Sequence, residues 1–431
     1  MNLKTIAHNL VAKSIPVGRK PNPGIALARA RYGKIIDKII SMRYLDPKRF
    51  KRQKLIDKLS DPDYGPLLIK RGKKYFVKKM VGETVRLTYN ETEPECVELS
   101  RLIKREVWKR GGHITTIPYS SADSRAHLQL IPFDTAAELP PSAKIMAATN
   151  DVRIFLGGDE DDNWLRGLEA KGLLGAPAES KLRQIMDKHG MRWCYFGWPV
   201  RKKNYLVSPA KYRKIFIDSI AATFRPKVRQ LCKYYKDALK GANNIRITAA
   251  DGTDLTFSIK GRPILVADGV IDKTDLKHGD VGLNIPDGEV FLAPLEHSAN
   301  GMIIFDYVVI HGFGFVKNLK LTFKDGKVIK WSAPGNGATI FKKFLGANTG
   351  EKDRIAELGI GTNPAARFIG ETIVDEKIFG SIHIAIGHNT GAYHGKNVAS
   401  SHLDMIKIMK GKNGNMFADG KLIMKNGLPV K

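Results

Sequence analysis

Cysteine is scarce in this chain. Its three residues, Cys96, Cys194 and Cys232, lie far apart and in no CxxC spacing. That excludes a disulfide framework and a thiolate zinc site, and predicts a reducing, cytoplasmic setting. Long apolar runs are missing too: none approaches the roughly 18 residues a spanning helix needs, so no membrane insertion is expected. The opening segment MNLKTIAHNLVAKSIPVG has no long apolar core and does not read as a signal peptide. Neither GxGxxG after the first strand nor GxxxxGK[ST] occurs, which removes the common nucleotide signatures. HExxH and GxSxG are also absent, and no cysteine has a clear histidine partner. There is no repeat of fixed period and no low-complexity tract.

Acidic residues are in deficit as well. The 431 residues carry 71 Lys/Arg against 43 Asp/Glu, a formal net charge of +28. Residues 1–80 alone hold 21 Lys/Arg and 5 Asp/Glu. A surplus of this size attracts polyanions, but it does not by itself imply nucleic-acid binding, and a solvated basic surface is the preferred reading. Hydrophobic residues make up 43% of the chain, enough for a folded globule, and its length suits two or three domains.

Residues 1–80 read as a basic helical extension, with helices over IALARARYGKIIDKIISMRYL and DPKRFKRQKLIDKLS and a basic strand or linker at RGKKYFVKKM. Residues 81–206 alternate strand and helix: ETVRLTY, PECVELSRLIKREVWKRGG, HITTIPY, DVRIFLGG, ESKLRQIMDKHG and MRWCYFGWP. This pattern predicts an α/β N-terminal domain with a mostly parallel sheet. The acidic GGDEDDN at 157–163 is expected to be a solvated loop. Residues 207–431 begin with two amphipathic helices, the first capped by Ser208 ahead of Pro209. Three Asp-Gly turns between alternating apolar residues follow, so this part is expected to be an α+β catalytic domain rich in β-hairpins.

That last part also holds the candidate chemistry. Glu296 lies in GEVFLAPLEHSANG and Glu357 in RIAELGIGTNP; Glu376 and His383 lie in DEKIFGSIHIAIG, and His402 and Asp404 in SHLDMI. Singly, each has a plain explanation. Glu357 could end a helix at the surface, and a histidine inside SIHIAIG is more often a hydrogen-bonded core residue. Together they are harder to dismiss, because ionisable groups in apolar or glycine-rich strands need a common neutralising partner. Carboxylate oxygens with imidazole nitrogens form the ligand set of Zn²⁺, Co²⁺ or Mn²⁺.

These four segments, in this order, resemble the signature segments of the thermophilic metallo-aminopeptidases of the aminopeptidase T and aminopeptidase S type. GTDLTFSIKGRP at 252–263 adds to the likeness. The resemblance covers about residues 81–431, is sharpest over 286–406, and leaves residues 1–80 outside. It implies that Glu296, Glu357, His383, His402 and Asp404 hold two divalent metal ions (Zn, Co or Mn) per subunit, with Glu376 aligned to a family glutamate. It further implies that Glu357 takes a proton from water and that a tyrosine donates to the oxyanion. Tyr393 is the counterpart of that tyrosine, while Thr390 sits nearer its usual place. Leu403 stands where the family has tryptophan, and His388 and His394 are additional. Metal-dependent removal of the N-terminal residue from peptide substrates by a homodimer is the activity implied. The rival expectation is a nucleic-acid-associated protein that binds weakly through residues 1–80 and carries an inert or differently specific hydrolase domain.

Overall fold

Strand and helix alternate from residue 84 to 197, and the strands Thr84–Asn90, His113–Tyr119, Val152–Gly157 and Arg192–Gly197 lie parallel. The computed structural model describes residues 2–21, 68–71, 74–77 and 80–430. A fifth parallel strand, Gly282–Ile285, joins the edge beside Arg192–Gly197 although it comes from far along the chain. The first crossover is the helix Pro94–Lys109, with proline in its first turn and Cys96, Leu99, Leu102, Ile103 and Val107 buried on one stripe.

Alternation along the strands turns Val85, Leu87, Val152, Ile154, Leu156, Cys194 and Phe196 to the same core. Two other parts of the chain complete it. The helix Pro209–Thr223 contributes Tyr212, Phe216 and Ile220, and the first residues contribute Ile6, Ala7, Leu10, Val11, Ile15 and Val17. The start of the chain is therefore a core element and not only a basic extension: the helix Leu3–Asn9 is capped by Asn2 and continues as a π-turn through Ser14. The helices expected over 25–45 and 46–60 lie outside the described residues. The basic stretch near residue 75 takes part in short antiparallel pairings, Leu68–Arg71 with Lys74–Val77 and Arg19–Pro21 with Met80–Gly82. Among the described residues no helix is long and apolar enough to cross a membrane.

The acidic loop after Val152–Gly157 differs from the expectation of a solvated turn. Asn90 donates to the carbonyl of Gly158 and to Glu160, the Ser121 amide donates to Glu160 at 2.6 Å, and Lys202 and Lys203 pair with Asp162 and Asp161. This loop is tied down because it closes the carboxyl ends of the parallel strands.

The second layer is a 13-stranded antiparallel sheet. Three of its hairpins turn at Asp-Gly pairs, at 251–252, 325–326 and 419–420. Asp325 and Gly326, and Asp419 and Gly420, all have positive φ, the backbone of a type I′ turn. Four neighbouring strands matter for function: in spatial order they are Glu289–Leu292, Ile355–Gly361, Ser381–Gly387 and His402–Ile408. The middle two are buried along their whole length, which accounts for their unbroken apolar and glycine sequence.

Candidate metal centre

Register decides which side chains meet. Glu289 pairs with Gly361, Gly359 with His383, His383 with Ile406, Ala385 with Asp404, and Gly387 with His402. Because side chains alternate across a strand, Glu289, Glu357, His383, His402 and Asp404 fall on one face of the sheet. The positions between them on that face are Gly359, Gly361, Ala385 and Gly387, too small to fill the space. At Gly359 a Cβ would stand 2.0 Å from Cε1 and Nε2 of His383, so the imidazole lies directly on the glycine. A sixth group, Glu376, arrives from the short segment that precedes the His383 strand.

Glu357 is the hub. Its Oε1 lies 3.1 Å from His383 Nε2, and its Oε2 lies 3.1 Å from His402 Nε2. The Tyr393 hydroxyl donates to Oε2 at 2.8 Å. Asp404 Oδ1 lies 3.4 Å from His402 Nε2, and Glu289 Oε2 lies 3.5 Å from His383 Nε2. His402 donates Nδ1–H to the His388 carbonyl at 2.7 Å, which orients the ring and turns Nε2 toward Glu357 and Asp404. Three overlapping sets of ligand atoms lie within 4.8 Å of one another: Glu289, Glu357 and His383; Glu357, His402 and Asp404; Glu376, His383 and Asp404. Glu289 Oε2 and Asp404 Oδ1 are buried and make no hydrogen bond among the described residues. Buried carboxylate oxygens without donors are costly, and a hard cation is the partner that this donor set suits.

The electrostatics reinforce the point. Burial pushes the Glu357 carboxyl up, but its hydrogen bonds to His383 and His402 outweigh that and hold it well below the usual range. Burial lowers His383, yet Glu357 and its neighbours bring it up to about 9. Burial raises Glu376 and takes Glu289 up to about 7, in each case opposed by the charge of Lys377. Lys377 is itself fully buried, with Nζ 2.5 Å from Glu289 and 2.7 Å from Glu376.

Of the residues picked out in the sequence, Glu357, Glu376, His383, His402 and Asp404 converge, and Tyr393 reaches them. Thr390 instead bonds to His388 at 2.8 Å. Glu296 does not converge. Both of its oxygens pair with Arg262 at 2.6 Å, and one accepts from the Lys396 amide at 2.7 Å. It follows the strand by several residues and turns away with the chain. Glu289, at the start of the same GEVFL strand, takes its place in the cluster through its register with Gly361. Sequence reasoning passed over both Glu289 and Lys377. The signal available for Glu289 was a carboxylate opening an otherwise apolar strand that ends in the same motif.

The profile of the family described as thermophilic metalloprotease (M29) matches residues 82–428. No curated protein matches in sequence. Among solved structures, wild-type AmpT from Thermus thermophilus is similar with a TM-score of 0.61 and 17% identity, covering 89% of this chain and 100% of that one. The 2,5-dihydroxypyridine dioxygenase of Pseudomonas putida KT2440 is similar with a TM-score of 0.53 and 15% identity, covering 81% and 91%. At such identities the two structures speak for the fold alone. The family match extends over most of the chain and takes in every strand of the cluster: the chain belongs to the thermophilic metalloprotease family, M29, and is a metal-dependent peptidase.

Proposed function

We propose that this peptidase is an aminopeptidase, and that the cluster centred on Glu357 is its metal site. The observation that carries the reading is the meeting of four carboxylates and two imidazoles over one sheet face, two of the oxygens lacking a hydrogen-bond donor among the described residues. Glu357, His383, His402 and Asp404 would hold the metal. A divalent zinc, cobalt or manganese ion bound there supplies Lewis-acid activation of water and of the scissile carbonyl.

The protein groups divide the remaining work. Glu357 has both oxygens engaged and is held ionised, which suits a ligand better than the base expected from sequence. Glu376 keeps one oxygen free of Lys377 and has a raised carboxyl, so it is the better acceptor for the water proton and donor to the leaving amine. Tyr393 is the neutral hydroxyl available to a tetrahedral oxyanion. The cluster's excess of carboxylate favours a substrate with a free α-ammonium, which makes the cleavage exopeptidic. AmpT, an aminopeptidase of this fold, fits the same reading. The dioxygenase neighbour shows that the fold also hosts other chemistry, so the assay must discriminate. Leucyl-p-nitroanilide should be cleaved, chelator should stop cleavage, and Co²⁺, Zn²⁺ or Mn²⁺ should restore it; the N-acetylated substrate should remain intact. Activity insensitive to chelator, or none after metal is restored, defeats the proposal. The nucleic-acid reading has no support among the described residues, since those at the start of the chain are packed into the first core.

A further inference from the structure

Resting on the reading of this cluster as a metal site, we propose that Lys377 stands in for a second cation, so that the chain binds one divalent metal and not two. Its ammonium bonds to Glu289 at 2.5 Å and to Glu376 at 2.7 Å. Those are the two carboxylates that complete the sets around His383. Among the described residues, only the set of Glu357, His402 and Asp404 is free of contact with the lysine.

The placement of Lys377 is built into the backbone. It follows the short helix Thr372–Asp375, and its carbonyl accepts from the Asn363 amide at 2.9 Å. The next residue, Ile378, runs against Gly361, where a Cβ would meet the Ile378 carbonyl oxygen at 2.2 Å. Gly361 is in turn the register partner of Glu289. A glycine thus lets the lysine segment lie on the strand beside the very carboxylate that the ammonium binds. The side chain is 0% exposed, and a third carboxylate, the fully buried Asp287, also acts on it. A fixed positive charge there repels a metal ion seated between Glu289 and His383, and it already neutralises the charge that such an ion would balance. It also holds Glu376 outside the ligand set, where its free oxygen can act on a proton.

Manganese stoichiometry tests this without reference to turnover. Wild-type protein saturated with Mn²⁺ and freed of excess should retain one ion per chain and give the EPR spectrum of an isolated ion. Lys377→Met should retain two, with the exchange-coupled spectrum of ions roughly 4 Å apart. Two coupled ions in the wild type overturn the inference, even if the variant fails to fold, and so does a folded Lys377→Met that still holds one. One ion per chain with no release from leucyl-p-nitroanilide would uphold the inference and defeat the aminopeptidase reading. No retained ion would defeat both.

Discussion

Gly359 and His383 act as one unit, since the imidazole occupies the space that any side chain at position 359 would need. Gly359→Ala should turn His383 away and lower Mn²⁺ affinity by about 10–100-fold, measured by calorimetric titration, with the circular dichroism unchanged. Unaltered affinity would mean that His383 is not a ligand. Glu357 and Glu376 should separate in a paired experiment. Glu357→Gln should lose the metal, whereas Glu376→Gln should keep it and lower kcat by about 10²–10⁴-fold. Metal analysis beside kinetics checks both; the opposite pattern would restore Glu357 as the base. At this scale much of the site was legible, because a histidine or carboxylate alternating with isoleucine and glycine in a buried strand has few innocent explanations. Glu289 was not, because its place depends on pairing with a strand some 70 residues away, and local pattern does not contain register. Lys377 escaped for a related reason: a lysine in a short loop reads as solvated until the fold buries it.

The element that presents Tyr393 is the loop between Ser381–Gly387 and His402–Ile408. Two buried asparagines anchor it, Asn389 donating to the Ala356 carbonyl at 3.3 Å and Asn397 to the Ile355 carbonyl at 2.8 Å. The Arg262–Glu296 pair clamps its far end, Arg262 donating to the His394 carbonyl and Glu296 accepting from the Lys396 amide. Glu296 therefore bears on the site through the loop. Glu296→Gln should lower kcat/KM in the wild type but have little effect in a Y393F background, a coupling of about 1–2 kcal/mol. Equal losses in both backgrounds would show that the pair does not act through Tyr393. Hairpin turns were legible at this level because Asp-Gly demands a particular backbone. The short strand Gly282–Ile285 was not: four residues carry too little periodicity to reveal a place in the parallel sheet.

Across the whole molecule there are two cores; the site-bearing strands line one, and the other needs the start of the chain. Leu10 is 1% exposed among Val11, Leu99 and Val107, so Leu10→Ala should cost about 2–5 kcal/mol in urea unfolding. A loss under 1 kcal/mol would mean that residues 3–17 are dispensable to the core. All three cysteines are buried, and burial pushes the Cys232 thiol up to about 12. Its thiolate is thus scarce at neutral pH, and native protein should leave Ellman's reagent unreacted until denaturant exposes all three thiols. Rapid reaction of a native thiol would show that the packing described is looser. The parallel and antiparallel layers were legible from alternation and turns. The docking of the first residues was not, since their basic neighbours masked a short apolar stripe.

The most direct test is anomalous diffraction from crystals grown with Mn²⁺ or Zn²⁺. The account predicts a metal peak within bonding distance of Glu357, His383, His402 and Asp404, beneath Tyr393. A peak bound to Glu296 instead, or no peak among these strands in a metal-loaded, active protein, would contradict it.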